Sequence, residues 1–334
     1  MKIAIVGAGF FGLSVALSLS KNHKVDIFET KKSILNGASS SNQFRFHLGY
    51  HYPRSQKTVR EINKSKDLFI SYYGDNIFGK TLNYYLIANE SYVKFKSYKQ
   101  FLKKNNFFFK ILKNTNKNEL INKTILTNEK ILNEIKFKKK ILSKIKKSNL
   151  KLNLNKEFKR NNLKSFDKII VSTYANNNLV LNKLGIKRLD EFKFELIEKI
   201  IIKLPKKFKN KSYVVVDGKF VCVDPYLGTN YHLLSDVKLS KLETIVGKFP
   251  IFKHKNKKFV DKGLIKNIKI SQFKNFIKRS SNYLPFLKNA DYIGSFFVIR
   301  TIMKNKEKTD ERTSSIKLHS KKIISILSGK WNNS

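Results

Sequence analysis

Three glycines and one acidic residue near the N-terminus have the types and the spacing needed to bind a dinucleotide. Gly7, Gly9 and Gly12 form a G-x-G-x-x-G pattern, and Glu29 follows after a further apolar stretch. In such a pattern the first glycine makes a tight turn, the second lets the backbone approach a pyrophosphate, and the third lets a helix pack closely. The acid accepts hydrogen bonds from ribose hydroxyls, and its charge would repel a 2′-phosphate. We therefore predict a dinucleotide other than NADP.

The segments around these glycines predict a strand, a helix and a second strand. Residues 2–6 form an apolar, β-branched run, apolar residues recur at helical spacing over 13–19, and 25–28 form another short apolar run. A helix beginning at the turn would direct its unpaired N–H groups and positive dipole end at the phosphates. The predicted contacts therefore include the residues between the glycines: Ala8, Phe10 and Phe11.

Two other interpretations of the N-terminus remain open. Residues 3–20 carry no charge and follow Lys2, as in a signal peptide or a membrane span. Three glycines and three serines weaken that run, and a span would not need Glu29 at the end of a second strand. A chance glycine pattern in some other α/β protein is the second alternative.

Length and cysteine content predict two domains with a large core. The chain has 334 residues and 27 Phe, which exceeds one average domain. Cys222 is the single cysteine, so a disulfide framework within the chain and a cysteine-based metal cluster are excluded. A reducing cytoplasm fits this composition. No other uncharged apolar stretch is long enough to span a bilayer, and no metal is expected.

The net charge of +45 is the most unusual property of the composition. Only eight of the 69 basic residues are arginine, and Lys, Asn, Ile and Phe are abundant together. The codons for these four residues are rich in A and T, so a bias in the genome's base composition would explain the charge without a function. A selected anionic partner is the alternative. Nucleic acid is not expected, because no Arg-rich or RNP-like motif occurs. Peripheral contact with an anionic membrane stays open.

The stretch after Glu29 offers further candidate ligands. A small, polar loop over 37–42 could surround a phosphate or a ribityl chain, or it could be a solvated turn. Its candidates, together with Thr30, are Ser39, Ser40 and Asn42.

A ribbon follows over 43–52, where apolar and polar residues alternate strictly. This period predicts an extended segment that projects Arg45, His47 and His51 from one face. Gly49 would leave space between the histidines for a flat group. One alternative is that the histidines have only structural hydrogen bonds at a domain boundary. The other is that they bind a metal as a pair, although the spacing supplies no third ligand.

The remaining chain predicts helices and strands that could support this site. Thr58 and Glu61 are three residues apart and suggest a capping box at the start of a helix. That helix could begin as early as Ser55. Asp217-Gly218 predicts a two-residue type I′ hairpin that Asp224-Pro225 would end. Thr173 ends a buried strand with a small hydroxyl side chain that suits a cofactor-facing edge. Predicted helices cover 55–73, 137–147 and a segment from 271, and predicted strands cover 81–88, 150–154, 166–173, 199–204, 230–234, 292–302 and the end of 316–327.

These motifs resemble the FAD-dependent oxidoreductases related to D-amino-acid oxidase and glycine oxidase. The resemblance rests on the glycine pattern with Glu29, the loop at 37–39, the ribbon at 46–55, Arg300 and Ser328-Gly329-Lys330. It implies an α/β fold with a discontinuous, Rossmann-like FAD domain on a parallel sheet. A second, α+β substrate domain would carry a largely antiparallel sheet. The implied FAD segments are 1–75, 140–185 and 285–334, and the implied substrate segments are 76–139 and 186–284.

The resemblance also implies a reaction, which is hydride transfer from a small amine, amino acid or hydroxy acid to FAD. It implies catalytic roles for Arg300, His47 and His51 and cofactor contacts for Arg45, Gly329 and Lys330. Arg300 would clamp a substrate carboxylate, or it would instead pair with Asp310 or Glu311. The electron acceptor stays open. The competing functions are a nucleic-acid- or anionic-surface-binding protein and a flavoprotein-like scaffold without catalysis.

The C-terminus departs from this family in two ways. Asp310 to Thr313 contains no proline where relatives carry an acid and a proline, and only five residues follow Gly329. A helix directed at the flavin ring does not fit in so few residues. The sequence therefore predicts either a truncated chain or a flavin site stabilised differently, with Lys330 as the only nearby cation that the sequence offers. We expect weaker FAD binding and slower turnover than in a version extended by one helix.

Overall fold

The computed structural model describes residues 1–113, 118–218, 221–305, 309 and 311–330. Its helices are α1 (Phe10–Leu19), α2 (Gln56–Tyr73), α3 (Phe95–Lys104), α4 (Glu134–Lys146), α5 (Asn177–Lys183), α6 (His254–Lys257) and α7 (Phe273–Ser280). Its strands are β1 (Lys2–Val6), β2 (Lys24–Phe28), β3 (Arg45–Phe46), β4 (Phe78–Gly79), β5 (Leu82–Ala88), β6 (Phe109–Leu112), β7 (Ile121–Thr127), β8 (Lys130–Leu132), β9 (Leu150–Asn153), β10 (Lys168–Val171), β11 (Phe192–Lys203), β12 (Lys211–Val216), β13 (Val221–Tyr226), β14 (Tyr231–Asp236), β15 (Lys241–Gly247), β16 (Asp291–Met303), β17 (Ser315–Leu318) and β18 (Ile323–Leu327).

The first sheet has the strand order β17-β18-β10-β1-β2-β9 and is parallel except at its β17 edge. Its central strand β1 is apolar because both faces are covered. Ile3 and Ile5 pack into a core that includes α1 and α4, whereas Ala4 and Val6 pack into a second core with α5. The strand, helix and second strand predicted around the glycines are confirmed.

A second sheet has the order β15-β11-β14-β13-β12-β5-β7-β6, with β16 also pairing with β11. Most neighbours in it are antiparallel, and β12 with β5 is a parallel exception. The predicted fold class, a Rossmann-like parallel sheet with a second, largely antiparallel sheet, is therefore confirmed. The predicted domain boundaries remain a proposal. Because β16 pairs with β11 along its length, a last boundary after Met303 follows the sheets better than one at 285.

The extended ribbon predicted over 43–52 is wrong. Only β3 is a strand there, and it pairs with β8 in a small third sheet with β4. Phe44 has a φ of +51°, and Gly49 has a φ of +115° at a turn in which Tyr52 N–H donates to the Gly49 carbonyl. Alternating polarity arises here because the apolar side chains, Phe44 to Tyr52, fill core positions from a folded-back chain.

Two smaller predictions are also wrong. In the β12–β13 hairpin Val214 is opposite Cys222, so the midpoint of the hairpin is Gly218. A two-residue Asp217-Gly218 loop would have its midpoint between these two residues, so the predicted turn is wrong. Residues 219 and 220 lie outside the described part. The pair Asp224-Pro225 does not end the strand, because β13 continues to Tyr226 with Asp224 fully buried.

The cap of α2 differs from the predicted capping box. Ser55 is the N-cap, and its hydroxyl accepts from Thr58 N–H at 3.4 Å. Thr58 and Glu61 instead accept from the backbone N–H groups of Arg312 and Ser314. Among the described residues, no helix is both long enough and apolar enough to cross a bilayer.

Candidate active site

The glycine turn connects β1 to α1 with backbone contacts that leave no room for side chains. Gly7 has a φ of +107°, and a β-carbon on it would lie 2.5 Å from the Ser172 carbonyl oxygen at the end of β10. A β-carbon on Gly12 would lie 1.9 Å from the Gly7 carbonyl oxygen. The turn therefore needs glycine at both positions, and it brings the start of α1 against the carboxyl ends of β1 and β10.

Glu29 lies beside this turn, at the end of β2. Its two carboxylate oxygens accept from Ala8 N–H at 2.9 Å and from Lys31 N–H at 2.8 Å. Oε1 also accepts from Thr30 hydroxyl at 3.4 Å, whereas Oε2 keeps a lone pair that can accept from a hydroxyl group of a ligand. Gly9 is the N-cap of α1 and has no side chain to cap it, and Ser39 hydroxyl accepts from Phe10 N–H at 3.2 Å.

Two cavities meet at this helix end. One of about 330 Å³ is lined by Gly7, Glu29, Thr30 and Thr173, and one of about 500 Å³ extends beneath β11 and β16. Both are lined by Gly9, Ser39 and Ser172. The two cavities therefore form one continuous site along the carboxyl ends of the first sheet, with the second sheet as its roof.

Most of the residues predicted to contact the cofactor line one of these cavities, and three of them do not. The larger cavity is lined by Phe10, Phe11, Asn42, Arg45, Gly329 and Lys330. Ala8, Gly12 and Ser40 line neither cavity. Ser40 hydroxyl donates to the Gly37 carbonyl at 3.1 Å, and so it closes the loop that presents Ser39.

Arg45 lines the larger cavity, but its charge is already balanced. Its guanidinium is 2% exposed, pairs with Glu129 at 2.6 Å and also contacts Asp224 and Ser212. These partners lie before β8 and on β13 and β12, so Arg45 joins two sheets. This geometry favours a structural role over the predicted contact with the cofactor.

The two histidines are neighbours, with ring centroids 5.8 Å apart. His47 lines the larger cavity, whereas His51 lies behind it and contacts Tyr52. Burial, followed by the charges of Lys330, His51 and Arg45, holds the pKa of His47 well below its usual range. Gly49 does not leave a slot between the rings, because a β-carbon there would lie 2.6 Å from the Phe107 ring.

Arg300 lines the same cavity and is paired with an acid that the sequence did not suggest. Its Nε donates to Glu195 Oε2 at 2.6 Å, and its Nη2 contacts the same oxygen. Glu195 faces Arg300 directly in the β11–β16 register, and it also pairs with Lys241 at 2.9 Å. The predicted partner Glu311 instead pairs with Lys57, and Asp310 lies outside the described residues.

The end of β18 approaches the cavity beside the segment 311–314. Gly329 N–H donates to Ser314 hydroxyl at 3.2 Å, and a β-carbon on Gly329 would lie 2.1 Å from the Arg312 carbonyl oxygen. Lys330 lies 5.0 Å from the centre of the Tyr52 ring. The prediction that Lys330 is the only nearby cation is wrong, since Arg312 and Lys199 line the same cavity. Residues 331–334 lie outside the described part.

Sequence reasoning missed several lining residues, among them Gln43, Lys199, Thr301 and Asp261. Lys199 carried a signal, because it interrupts the apolar run of β11 on the same side as Ile197 and Ile201. Asp261 reaches the smaller cavity from outside any strand, and no sequence pattern marks it.

The site fits a dinucleotide that carries a ring system. Gly9 leaves the junction of the cavities open, and the start of α1 with Ser39 lies at that junction. Glu29 lines the smaller cavity. Gln43 Oε1 and Thr301 Oγ1 are buried in the wall of the larger part without a hydrogen-bond partner among the described residues, so a ligand can supply one. Described His, Cys, Asp and Glu side chains form no cluster of three that could hold a metal. The fold and site are those of a dinucleotide-binding protein.

Comparisons with known proteins agree with this class. Residues 2–116 match the family model for FAD dependent oxidoreductases, DAO. Over 59 residues the chain is 44% identical to the FAD-dependent monooxygenase kojA of Aspergillus flavus. This match covers 17% of this chain and 14% of that protein. The match thus spans a small part of the curated relative.

Solved structures share the fold over nearly the whole chain. Glycine oxidase from Geobacillus kaustophilus has a TM-score of 0.70 at 14% identity, covering 99% of this chain and 89% of that one. L-α-glycerophosphate oxidase from Mycoplasma pneumoniae, a structure with FAD bound, has a TM-score of 0.71 at 15% identity, covering 98% and 88%. Residues 2–116 therefore resemble FAD dependent oxidoreductases, and the whole chain shares the fold of glycine oxidase. FAD is the cofactor that the family match supports.

Proposed function

We propose that this protein oxidises a small amine, amino acid or hydroxy acid. The observation that carries the proposal is the continuous cavity, which joins a dinucleotide turn to a larger chamber beneath β11 and β16. FAD, when bound, supplies the acceptor for a hydride from the substrate. The chain's own residues bind the two molecules, orient them and exclude water.

The smaller cavity would hold the ADP half of the cofactor. Glu29 accepts hydrogen bonds from ribose hydroxyls, and the start of α1 directs backbone N–H groups at the pyrophosphate. Asp261, whose pKa is raised by burial, stands across this cavity near Lys31. The larger cavity would hold the ring system, with Gln43 and Thr301 offering buried polar atoms.

His47 is the best-placed group of this chain to handle a substrate proton. Because burial and nearby cations lower its pKa well below the usual range, it is neutral near pH 7. A neutral imidazole can accept a hydrogen bond or a proton from an amine or hydroxyl group in the cavity. Its neighbour His51, 5.8 Å away between ring centroids, would position it.

The carboxylate clamp proposed for Arg300 is less well supported. Its guanidinium already uses Nε and Nη2 on Glu195. Three of its five N–H groups, on Nη1 and Nη2, remain for a substrate, but its charge is already shared with Glu195.

Anaerobic mixing of the FAD-loaded protein with a panel of amines, amino acids and hydroxy acids tests the proposal. We expect one class to bleach the flavin absorption, and oxygen consumption would then show whether dioxygen is the electron acceptor. Full FAD content with no bleaching by any class would favour a scaffold without catalysis. A nucleic-acid-binding role is not favoured. A cytoplasmic location is proposed from the presence of one cysteine, the half-buried Cys222.

A further inference from the structure

The larger cavity is strongly basic. Six basic side chains line it, namely Arg45, Lys57, Lys199, Arg300, Arg312 and Lys330. Glu311 is the one carboxylate among the described residues of its lining. A cavity with this excess of positive charge attracts an anion, provided that the charges are not already balanced by acids behind the wall.

Three of these cations are balanced. Arg45 pairs with Glu129, Lys57 pairs with Glu311 at 2.9 Å, and Arg300 pairs with Glu195. Lys199 differs, because among the described residues no carboxylate lies within 4.0 Å of its ammonium group and no hydrogen-bond acceptor reaches it.

Lys199 lies in the roof of the cavity. It is opposite Phe296 in the β11–β16 register, and Ile197, which also lines the cavity, is on the same side of the strand. Burial, with the charge of Arg300, lowers its pKa to about 8, although Cys222 and Asp224 oppose this. Lys199 is half-buried. An ammonium that is partly withdrawn from water without a paired carboxylate destabilises a fold, so its place in a chamber for small molecules needs a reason.

We propose that Lys199 binds the carboxylate of the substrate. This inference rests on the proposed function and narrows its substrate to an amino acid or hydroxy acid rather than a neutral amine. Lys199 offers one positive charge from the roof of the cavity, which a single carboxylate matches. Arg312 and Lys330 also line the cavity, so the test below includes inorganic phosphate. Lys199 would determine specificity, and the oxidised carbon would lie between it and the cofactor.

Binding of propionate to the FAD-loaded protein provides the test, with propionamide as its uncharged counterpart. Calorimetry and the change in flavin absorption would report affinity for wild type, Lys199→Met, Lys199→Arg and the control Lys203→Met. Lys203 is exposed at the end of the same strand and lines neither cavity. We expect Lys199→Met to weaken propionate binding about 10- to 100-fold, as for loss of a charged hydrogen bond. Lys199→Arg should restore part of it, and propionamide binding should not change.

Equal propionate affinity in wild type and Lys199→Met, at equal FAD content, would overturn the proposal. Tighter binding of inorganic phosphate than of propionate would also overturn it, because the anion class would be wrong. If the protein bound no FAD, the proposed function would fail separately, and calorimetry with propionate on the same protein would still decide the role of Lys199.

Discussion

At the cavity wall, the carboxylate of Glu195 is shared between two basic side chains. Oε2 holds Arg300, and Oε1 holds Lys241 at 2.9 Å. The Glu195 side chain is 1% exposed, so its charge depends on these partners. Removing one partner of a buried pair usually costs roughly 3–5 kcal/mol, because a buried charge is left behind.

We predict that Arg300→Met lowers the free energy of unfolding by about 2 kcal/mol, less than that range because Lys241 remains. Urea denaturation of the variant would measure this. Arg300→Met combined with Glu195→Met should recover most of the loss, since neither charge is then left alone. If stability were unchanged while KM rose strongly, Arg300 would be the substrate clamp and the ion pair would be incidental.

The pKa of Lys199 predicts how anion binding depends on pH. The pKa is about 8, so the ammonium form is complete below that pH and is lost as the pH rises through it. Propionate affinity should be flat from pH 6.5 to 7.5 and should fall about tenfold per pH unit above 8. Arg300, Asp224, Cys222 and His47 are the charged or titratable groups near Lys199. Burial raises the pKa of Cys222 and lowers the pKa of His47, so neither change coincides with the loss of the Lys199 proton.

Propionate titrations across this pH range would measure the effect. Lys199→Arg should show a flat profile, because a guanidinium does not lose its proton there. A fall that persisted in Lys199→Arg would assign the pH dependence to another group.

At the scale of elements, the first two turns of α2 hold the segment 311–314 in place. Glu61 accepts from Ser314 N–H at 2.9 Å, and Thr58 hydroxyl accepts from Arg312 N–H at 3.0 Å. That segment in turn packs against Gly329 at the end of β18. A helix far along the chain from the glycine turn therefore fixes one wall of the larger cavity.

We predict that Glu61→Ala lowers the free energy of unfolding by about 1–2 kcal/mol, because a backbone donor loses its partner. FAD should also dissociate several-fold faster, because the wall at 311–314 is released. Flavin fluorescence after dilution would report the rate. Lys64→Ala, on an exposed part of the same helix, is the control. Equal dissociation rates in Glu61→Ala and wild type would show that this wall does not retain the cofactor.

Elements with a strong local pattern were predictable from sequence, and elements set by distant contacts were not. The run β1, turn, α1 and β2 follows from apolar spacing and from Gly7 and Gly12, whose positions exclude any side chain. The segment 43–52 misled because its alternating apolar residues are all near the core, although the chain folds back at Gly49 against Phe107. That contact joins residues far apart in sequence, and no local rule contains it.

The candidate site shows the same division between local and distant information. The dinucleotide half is local, since Gly7 to Gly12 and Glu29 belong to one β-α-β unit. The other half is assembled from β11, β16 and the end of β18, so its charges depend on partners in other segments. Glu195 facing Arg300 and the unbalanced Lys199 follow from the β11–β16 register, which composition does not reveal.

At the scale of the whole molecule, the two sheets face each other across one ligand chamber. The net charge of +45 is spread over 69 basic residues, and several of them are paired at the surface, as Lys183 is with Glu157 and Lys317 with Asp190. The excess that matters for function is therefore local, inside the larger cavity. The central claim is that this chamber holds FAD.

FAD content of Gly9→Val tests that claim most directly. Gly9 lines both cavities, has an ordinary φ of −78° and would place a β-carbon no closer than 3.2 Å to Ser39 hydroxyl. A valine there should leave the fold intact and obstruct the junction of the cavities. Gly247→Val is the matched control, because a β-carbon on Gly247 meets nothing within 4 Å. Circular dichroism would verify the fold of both variants.

The measurement is the ratio of FAD to protein after reconstitution and gel filtration. We expect about one FAD per chain for wild type and for Gly247→Val, as a single dinucleotide site requires, and almost none for Gly9→Val. A folded Gly9→Val protein that retained the wild-type ratio would contradict the placement of FAD in this chamber.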